Sequence, residues 1–241
     1  MALLKWDVPG EHFYETGVEK AVLYVADENA SGHELKYGKG VAWNGITAIT
    51  NSPSGAEETA LYADNDKYLS MRSKEDFGAT LEAYTYPDAW YPCDGLEKVG
   101  GVAVSQQSRK SFCLSYLTKE GNDTDFDSYG EKIHIIYGAS ASPSEKAYAT
   151  VNDTPEAITF SWEIATIPVA CVLGGVEYKK CSHLEISSKD FPNEGATAGK
   201  WQALKDALWG TDSATSYGTG TDPYVPSPAE VYAILNGDDS E

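Results

Sequence analysis

The chain is predicted to be mainly β: a β-sandwich or partly rolled sheet with an α-helix packed on one side. Three observations predict it. Apolar and polar residues alternate in short runs along the chain, Gly, Pro, Asn and Asp punctuate those runs, and clear helical spacing is confined to the final stretch.

The first strand is a β-branched and aromatic run at residues 21–26, bounded by Asp27, Glu28 and Asn29. Residues 41–50 follow with an Asn44-Gly45 step, and Pro53 to Gly55 breaks the chain. Leu61-Tyr62-Ala63, a turn at Asp64-Asn65-Asp66 and residues 67–71 read as a hairpin. Residues 80–86 extend until Pro87 stops them. Phe112, Leu114 and Tyr116 alternate with Ser111, Cys113 and Ser115, the pattern of a half-buried strand. Residues 133–137 are another apolar run. The clearest strand covers 158–165, where Ile158, Phe160, Trp162 and Ile164 alternate with Thr159, Ser161, Glu163 and Ala165. Residues 184–187 carry a weaker signal. Trp201, Leu204 and Leu208 sit at helical spacing over 200–210, with Gly210 as the stop. A short helix is expected at 228–235, ended by Asn236-Gly237. The predicted organisation is a β-sandwich domain over 1–210 and a C-terminal extension over 211–241. The Gly-, Thr- and Ser-rich stretch 211–222 is the connector, and residues 238–241 are a frayed acidic end.

The 241 residues suit one large domain, or two small ones, with no need of disulfides. Apolar runs fall far short of the ~20 residues a membrane helix requires. No leader pattern opens the chain, so a soluble protein kept in the cytosol is expected. The formal charge is −19 and Arg72 and Arg109 are the two arginines, which excludes a phosphate-tracking nucleic-acid binder with a basic stripe. Such acidity serves solubility, or a surface that must not adhere to another polyanion.

Cys93, Cys113, Cys171 and Cys181 lack CxxC spacing, and His12, His33, His134 and His183 form no ligand pair in sequence, so neither a disulfide framework nor zinc is expected. Cys113 reads as a small buried hydrophobe. Cys171 and Cys181 flank a Gly174-Gly175 turn and are expected to remain reduced. Walker, G-x-S-x-G, H-E-x-x-H and kinase signatures are missing from the sequence. Glu57 and Glu58 are strand neighbours that point to opposite faces, which does not supply a glycosidase pair. Counting a calcium loop from Asp123 puts Ser128 at the obligatory glycine and His134 at the bidentate glutamate, so a solvated turn is expected there instead. Sixteen tyrosines and six tryptophans suit carbohydrate stacking or protein contact, although strand propensity accounts for many of them.

The run Tyr37-Gly38-Lys39-Gly40-Val41-Ala42-Trp43-Asn44-Gly45-Ile46-Thr47 resembles the major tail protein (tail tube) family of long, non-contractile-tailed bacteriophages, siphophages, of Gram-positive bacteria. The resemblance continues through Ser52-Pro53-Ser54-Gly55-Ala56-Glu57 and Leu61-Tyr62-Ala63-Asp64-Asn65-Asp66-Lys67-Tyr68. Further blocks are Glu82-Ala83-Tyr84-Thr85-Tyr86-Pro87-Asp88, Cys93-Asp94-Gly95, Gly121-Asn122-Asp123, Lys132-Ile133-His134-Ile135-Ile136-Tyr137-Gly138 and Ala141-Ser142-Pro143-Ser144. Leu208-Trp209-Gly210 and residues 226–235 complete it. Tyr224-Val225-Pro226-Ser227-Pro228 departs from the family's more apolar Leu-Pro-x-Pro pattern.

The resemblance implies a structural virion protein of tail-tube type, without catalysis, cofactor or membrane. Copies would form hexameric rings stacked around a tape-measure protein, with tail terminator and tip proteins as further partners. Four strands per subunit would join into a multi-subunit barrel whose acidic lumen passes double-stranded DNA during ejection without binding it. Its place would be the virion tail, assembled in the host bacterial cytoplasm. Trp43, Asn44, Tyr62, Tyr84, Tyr86 and Trp90 are the expected inter-subunit contacts. Glu57, Glu58, Asp64, Asp66, Glu82 and Glu131 flank the expected lining strands. A carbohydrate-binding β-sandwich module is the alternative reading, and a glycoside hydrolase the third.

Overall fold

Extended runs become strands wherever turn residues bracket them, and the computed structural model, which describes residues 4–27, 36–150, 153, 157–212 and 220–237, holds sixteen among those residues. They are β1 (Phe13–Val25), β2 (Val41–Ala42), β3 (Ile46–Asn51), β4 (Ser54–Gly55), β5 (Glu58–Ala63), β6 (Asp66–Arg72), β7 (Glu75–Asp76) and β8 (Gly78–Ala83). After a 3-10 turn at Asp88–Trp90 come β9 (Glu97–Val99), β10 (Val102–Val104), β11 (Phe112–Asn122) and β12 (Phe126–Ala141). The last four are β13 (Phe160–Thr166), β14 (Val169–Leu173), β15 (Val176–Cys181) and β16 (His183–Ser187). Helices α1 (Lys200–Trp209) and α2 (Pro228–Asn236) close the chain. Glu28, Asn29, His33, residues 213–219 of the expected connector and the acidic end at 238–241 lie outside the described residues.

The protein is mainly β, a large antiparallel sheet with flanking helices, as predicted. Local chemistry explains the legible turns. Asp64 and Asn65 both adopt positive φ (51° and 67°), the requirement of a two-residue hairpin whose twist matches its strands. In α2, Pro228 opens the helix, and Ser227 and Glu230 satisfy each other's backbone N–H groups in a capping box.

The main sheet runs β2-β1-β11-β12-β13-β8-β3, with β16 also paired to β12. Its two terminal strands are separated in sequence by Trp43, Asn44 and Gly45 alone, so the sheet curls back on itself. The Trp43 N–H bonds the Ala21 carbonyl at 2.8 Å and holds that corner. Inside the curl lie Leu23, Leu81, Phe112, Leu114, Ile136 and a tilted cluster of Trp43, Trp90 and Trp162. Trp43 and Trp90 are therefore core residues, a correction to their expected place on a contact surface. Large aromatic rings bury most area per residue, and edge-to-face packing adds to it.

The outer face of β1, β11 and β12 carries a second core, where Val22, Cys113, Leu117, Ile133 and Ile135 meet Leu204 and Leu208 of α1 and Val231 and Leu235 of α2. Tyr24 donates to the Leu208 carbonyl at 2.6 Å, and Tyr137 donates to that of Pro226 at 2.8 Å, tying both helices to the sheet. The strand expected to be half-buried, β11, is thus buried on both faces through residue 118, curl on one side and helices on the other. The extension at 211–241 returns to the same core through α2.

Strand β12 changes neighbours along its length. Residues 132–136 pair with β16, whereas 139–141 pair with β13. The change occurs at Gly138, whose φ is +58°, and a Cβ there would lie 2.2 Å from the Ile167 carbonyl oxygen. Left-handed backbone costs an L-residue about 1–2 kcal/mol before any clash, and this clash is with backbone. Gly138→Ala is expected to lose at least about 2 kcal/mol of stability, read as a lower urea midpoint; an unchanged midpoint would show that the bend tolerates a side chain.

Candidate functional site

Beyond the curl, the sheet continues as four strands in the order β1-β11-β12-β16. Alternation gives this extension two unlike faces. One presents Leu117, Ile133, Leu184 and Ile186 toward the helices. The other carries a polar strip that crosses all four strands.

Glu15 of β1 anchors the strip. Lys132 donates to its Oε2 at 2.5 Å and Thr118 to its Oε1 at 2.6 Å. Burial pushes the Glu15 carboxyl up, but those donors outweigh it and the net shift is downward. Lys132 lies 3.7 Å from Glu120, which also accepts from Ser187 of β16 at 2.5 Å. His134 of β12 sits 3.1 Å from Glu15 and 3.4 Å from His183 of β16, with Glu185 beyond. Burial lowers the His134 pKa despite the nearby carboxylates, and burial followed by the neighbouring His134 brings His183 down to about 4.

Two backbone edges flank the strip. Among the described residues, no strand pairs with the outer side of β16, and β2 covers β1 at Val22 and Leu23 only. The first half of β1 therefore has an open edge, regular over residues 13–16 and bulged beyond. Open edges invite pairing with another chain. A second exposed feature is the β5–β6 hairpin, which projects Tyr62 and Tyr68 (each 72% exposed) and Met71 into solvent. Exposed valines also mark the β9–β10 hairpin, at Val99 and Val102.

The expected contact residues separate into two groups. Tyr62, Tyr84 and Asn44 are exposed. Tyr86 is half-buried against Trp162 and Phe160, and joins Trp43 and Trp90 as packing. The six expected lining carboxylates do not share one surface. Glu57, Glu58, Asp64 and Asp66 belong to the β5–β6 arm, where Glu58 pairs with Lys67 and Arg72. Glu82 is half-buried on β8. Glu131 accepts from Lys205 (2.8 Å) and Trp201 (3.2 Å) of α1, so it faces the helices, away from the polar strip. Sequence reasoning missed Glu15, Glu120, His183 and Glu185, because their strip exists only once four strands align.

The acidic turn between β11 and β12 is structural. Asp123 accepts from the Gly10 and His12 backbone, Asp125 from Asn122, and Asp127 from Tyr14. Cys171 and Cys181 carry free thiols on the β14–β15 hairpin, where Cys171 is opposite Tyr178 and Cys181 opposite Val169. A shallow groove of about 540 Å³ beside β8 and β13 contains one aromatic ring, Phe77, and that ring is stacked on His183. No family model matches the chain, and no curated protein matches it in sequence.

The His12 imidazole lies 3.1 Å from Asp123 and strapped beside the turn. Asp123 is held at about 2 by that hydrogen bond, then by the Gly10 N–H, and His12 is raised above 6.5 by the same contact. A depressed carboxyl contributes above its unfolded value and loses that contribution as pH falls; a raised histidine contributes below its unfolded value and loses it as pH rises. The strap is therefore tightest between about pH 4 and 6.5. An NMR titration should place His12 above 6.5 and return it toward that value in Asp123→Asn; identical midpoints in the two proteins would refute the pairing.

Proposed function

We propose that the chain is a self-assembling structural subunit of tail-tube type. The observation that carries this reading is the four-stranded extension: helices seal one face, the other is polar, and both outer strands have edges left open among the described residues. Such a sheet suits the wall of a hollow assembly. The β16 edge of one copy meets the β1 edge of the next, which satisfies backbone groups that would otherwise invite uncontrolled pairing.

The ring size rests on the sequence resemblance. Six copies of four strands, spaced about 4.8 Å apart, give a circumference near 115 Å and a backbone diameter of about 37 Å before strand tilt widens it. That leaves a channel for a double helix after side chains line it. The polar strip would face inward, so Glu15, Glu120 and Glu185 replace the lining carboxylates expected from sequence. Lys132 is engaged there by Glu15 and Glu120, and Lys189 by Glu120. Phosphate binding draws its strength from counterion release at unpaired Lys and Arg, and a wall built this way gives a passing duplex little to hold.

The β5–β6 arm supplies the second contact. A lone two-stranded hairpin is marginal in water, and its exposed tyrosines and methionine are suited to bury against a neighbouring copy. Head-to-tail docking of this kind is heterologous and allows an open-ended tube.

Negative-stain microscopy and sedimentation of the purified protein are expected to show rings or tubes. On assembly, amides at residues 13–16 and 183–187 should gain protection from hydrogen exchange; unchanged protection in assembled particles would exclude the edge pairing. A Tyr62→Ala, Tyr68→Ala, Met71→Ser variant should keep its circular dichroism and lose long assemblies. A persistent monomer that binds glycans would instead favour a carbohydrate-binding module.

A further inference from the structure

We propose that His134, His183 and Glu185 form a binding site for a divalent cation of the zinc class, with His134 oriented by Glu15 and Thr118. The three residues come from two paired strands: His134 lies opposite Glu185, and His183 is two residues before Glu185 on β16. His134 Nδ1 and His183 Nε2 face each other at 3.4 Å, with ring planes 8° apart. A zinc ion about 2.0–2.1 Å from each of two nitrogens so spaced sees them at an angle of about 110°, the tetrahedral value. Glu185 Oε1 lies 4.0 Å from His134 Nδ1 on a side chain 51% exposed, so the carboxylate has room to turn onto the ion. All the ligand atoms fall within 4.8 Å of one another. Water completes the fourth position.

The surroundings point independently to the same use. Thr118 donates its hydroxyl proton to Glu15 Oε1 at 2.6 Å, and His134 Nε2 lies 2.9 Å from that hydroxyl oxygen and 3.1 Å from the carboxylate. With the threonine proton committed, the hydrogen-bond network assigns a proton to Nε2 of His134 and leaves the Nδ1 lone pair free toward His183. A carboxylate behind a ligating histidine is the usual device for fixing its tautomer and raising its basicity. Both rings are also held in place. Tyr116 stacks on His134 at 4.6 Å, and Phe77 on His183 at 4.8 Å. Orientation is thus prepared before any ion arrives.

The donor set selects the cation. Two imidazoles and one carboxylate suit Zn, Co, Ni or Cu, while Mg and Ca prefer oxygen alone. The ion would tie β16, at the edge of the sheet, to β12. The site is complete within one chain, so it stands or falls separately from assembly.

The test is titration of tag-free, unassembled protein with Zn(II) against a chromophoric chelator, in millimolar magnesium to occupy surface carboxylates. One equivalent per chain is expected, and Co(II) should give the intense visible absorption of a tetrahedral site. His183→Ala should abolish that equivalent. Glu185→Gln, on a half-exposed side chain that leaves the fold intact, should weaken it roughly tenfold or more, and Glu15→Gln by about 10–100-fold through the loss of orientation. His12→Ala should change nothing, since the His12, Asp7 and Asp123 group is elsewhere on the surface. Absence of a stoichiometric equivalent, its persistence in both His183→Ala and Glu185→Gln, or its loss in His12→Ala would overturn the proposal.

Discussion

The architecture depends on one backbone constraint, the left-handed bend at Gly138. On the side away from β11, a straight β12 would keep one neighbour along its whole length. The bend lets β12 serve β13 on one side of Gly138 and β16 on the other. The first pairing closes the curled core around the tryptophans, and the second builds the four-stranded extension with its polar strip. Ile167, whose carbonyl crowds the glycine, also accepts no substitute for that bend: its N–H bonds the Gly138 carbonyl at 2.9 Å. A core and a wall are thus made from one sheet, and their division is set where a side chain cannot fit.

Two layers of packing follow from that division. The curl buries the inner face of β11 and the helices bury its outer face, so this strand is the stiff centre of the molecule. Where the curl ends, the polar groups of the extension are paired: Lys132 with Glu15, Ser187 with Glu120, Lys205 with Glu131. Partly buried charges are tolerated when they keep such partners, which explains how an acidic chain carries glutamates close to its core without unfolding.

Local signals were legible in the sequence and long-range ones were not. Asn44-Gly45 and Asp64-Asn65 marked their turns because positive φ is a property of a few residues. Trp201, Leu204 and Leu208 marked α1 by spacing, and Asn236-Gly237 marked the end of α2. The β1 residues 13–20 mix Phe13, Tyr14 and Val18 with charged residues and a glycine in no regular alternation, so only the apolar end of that strand was visible. Trp43 and Trp90 show that aromatic content does not distinguish a contact surface from a core. Glu131 and Glu15 look alike in sequence, yet alternation and register send one to the helices and the other to the open face. His134 and His183 are 49 residues apart and became neighbours only through the pairing of β12 with β16.

The β5–β6 arm carries a kinetic consequence if copies assemble as proposed. Its exposed side chains keep their rotamer freedom in the free subunit and lose it at the first encounter between copies. Early oligomers then form reluctantly, while a growing end that already presents an ordered surface captures newcomers with ease. Such a subunit assembles by itself only after a lag, and a seed offered early shortens that lag and settles where growth begins.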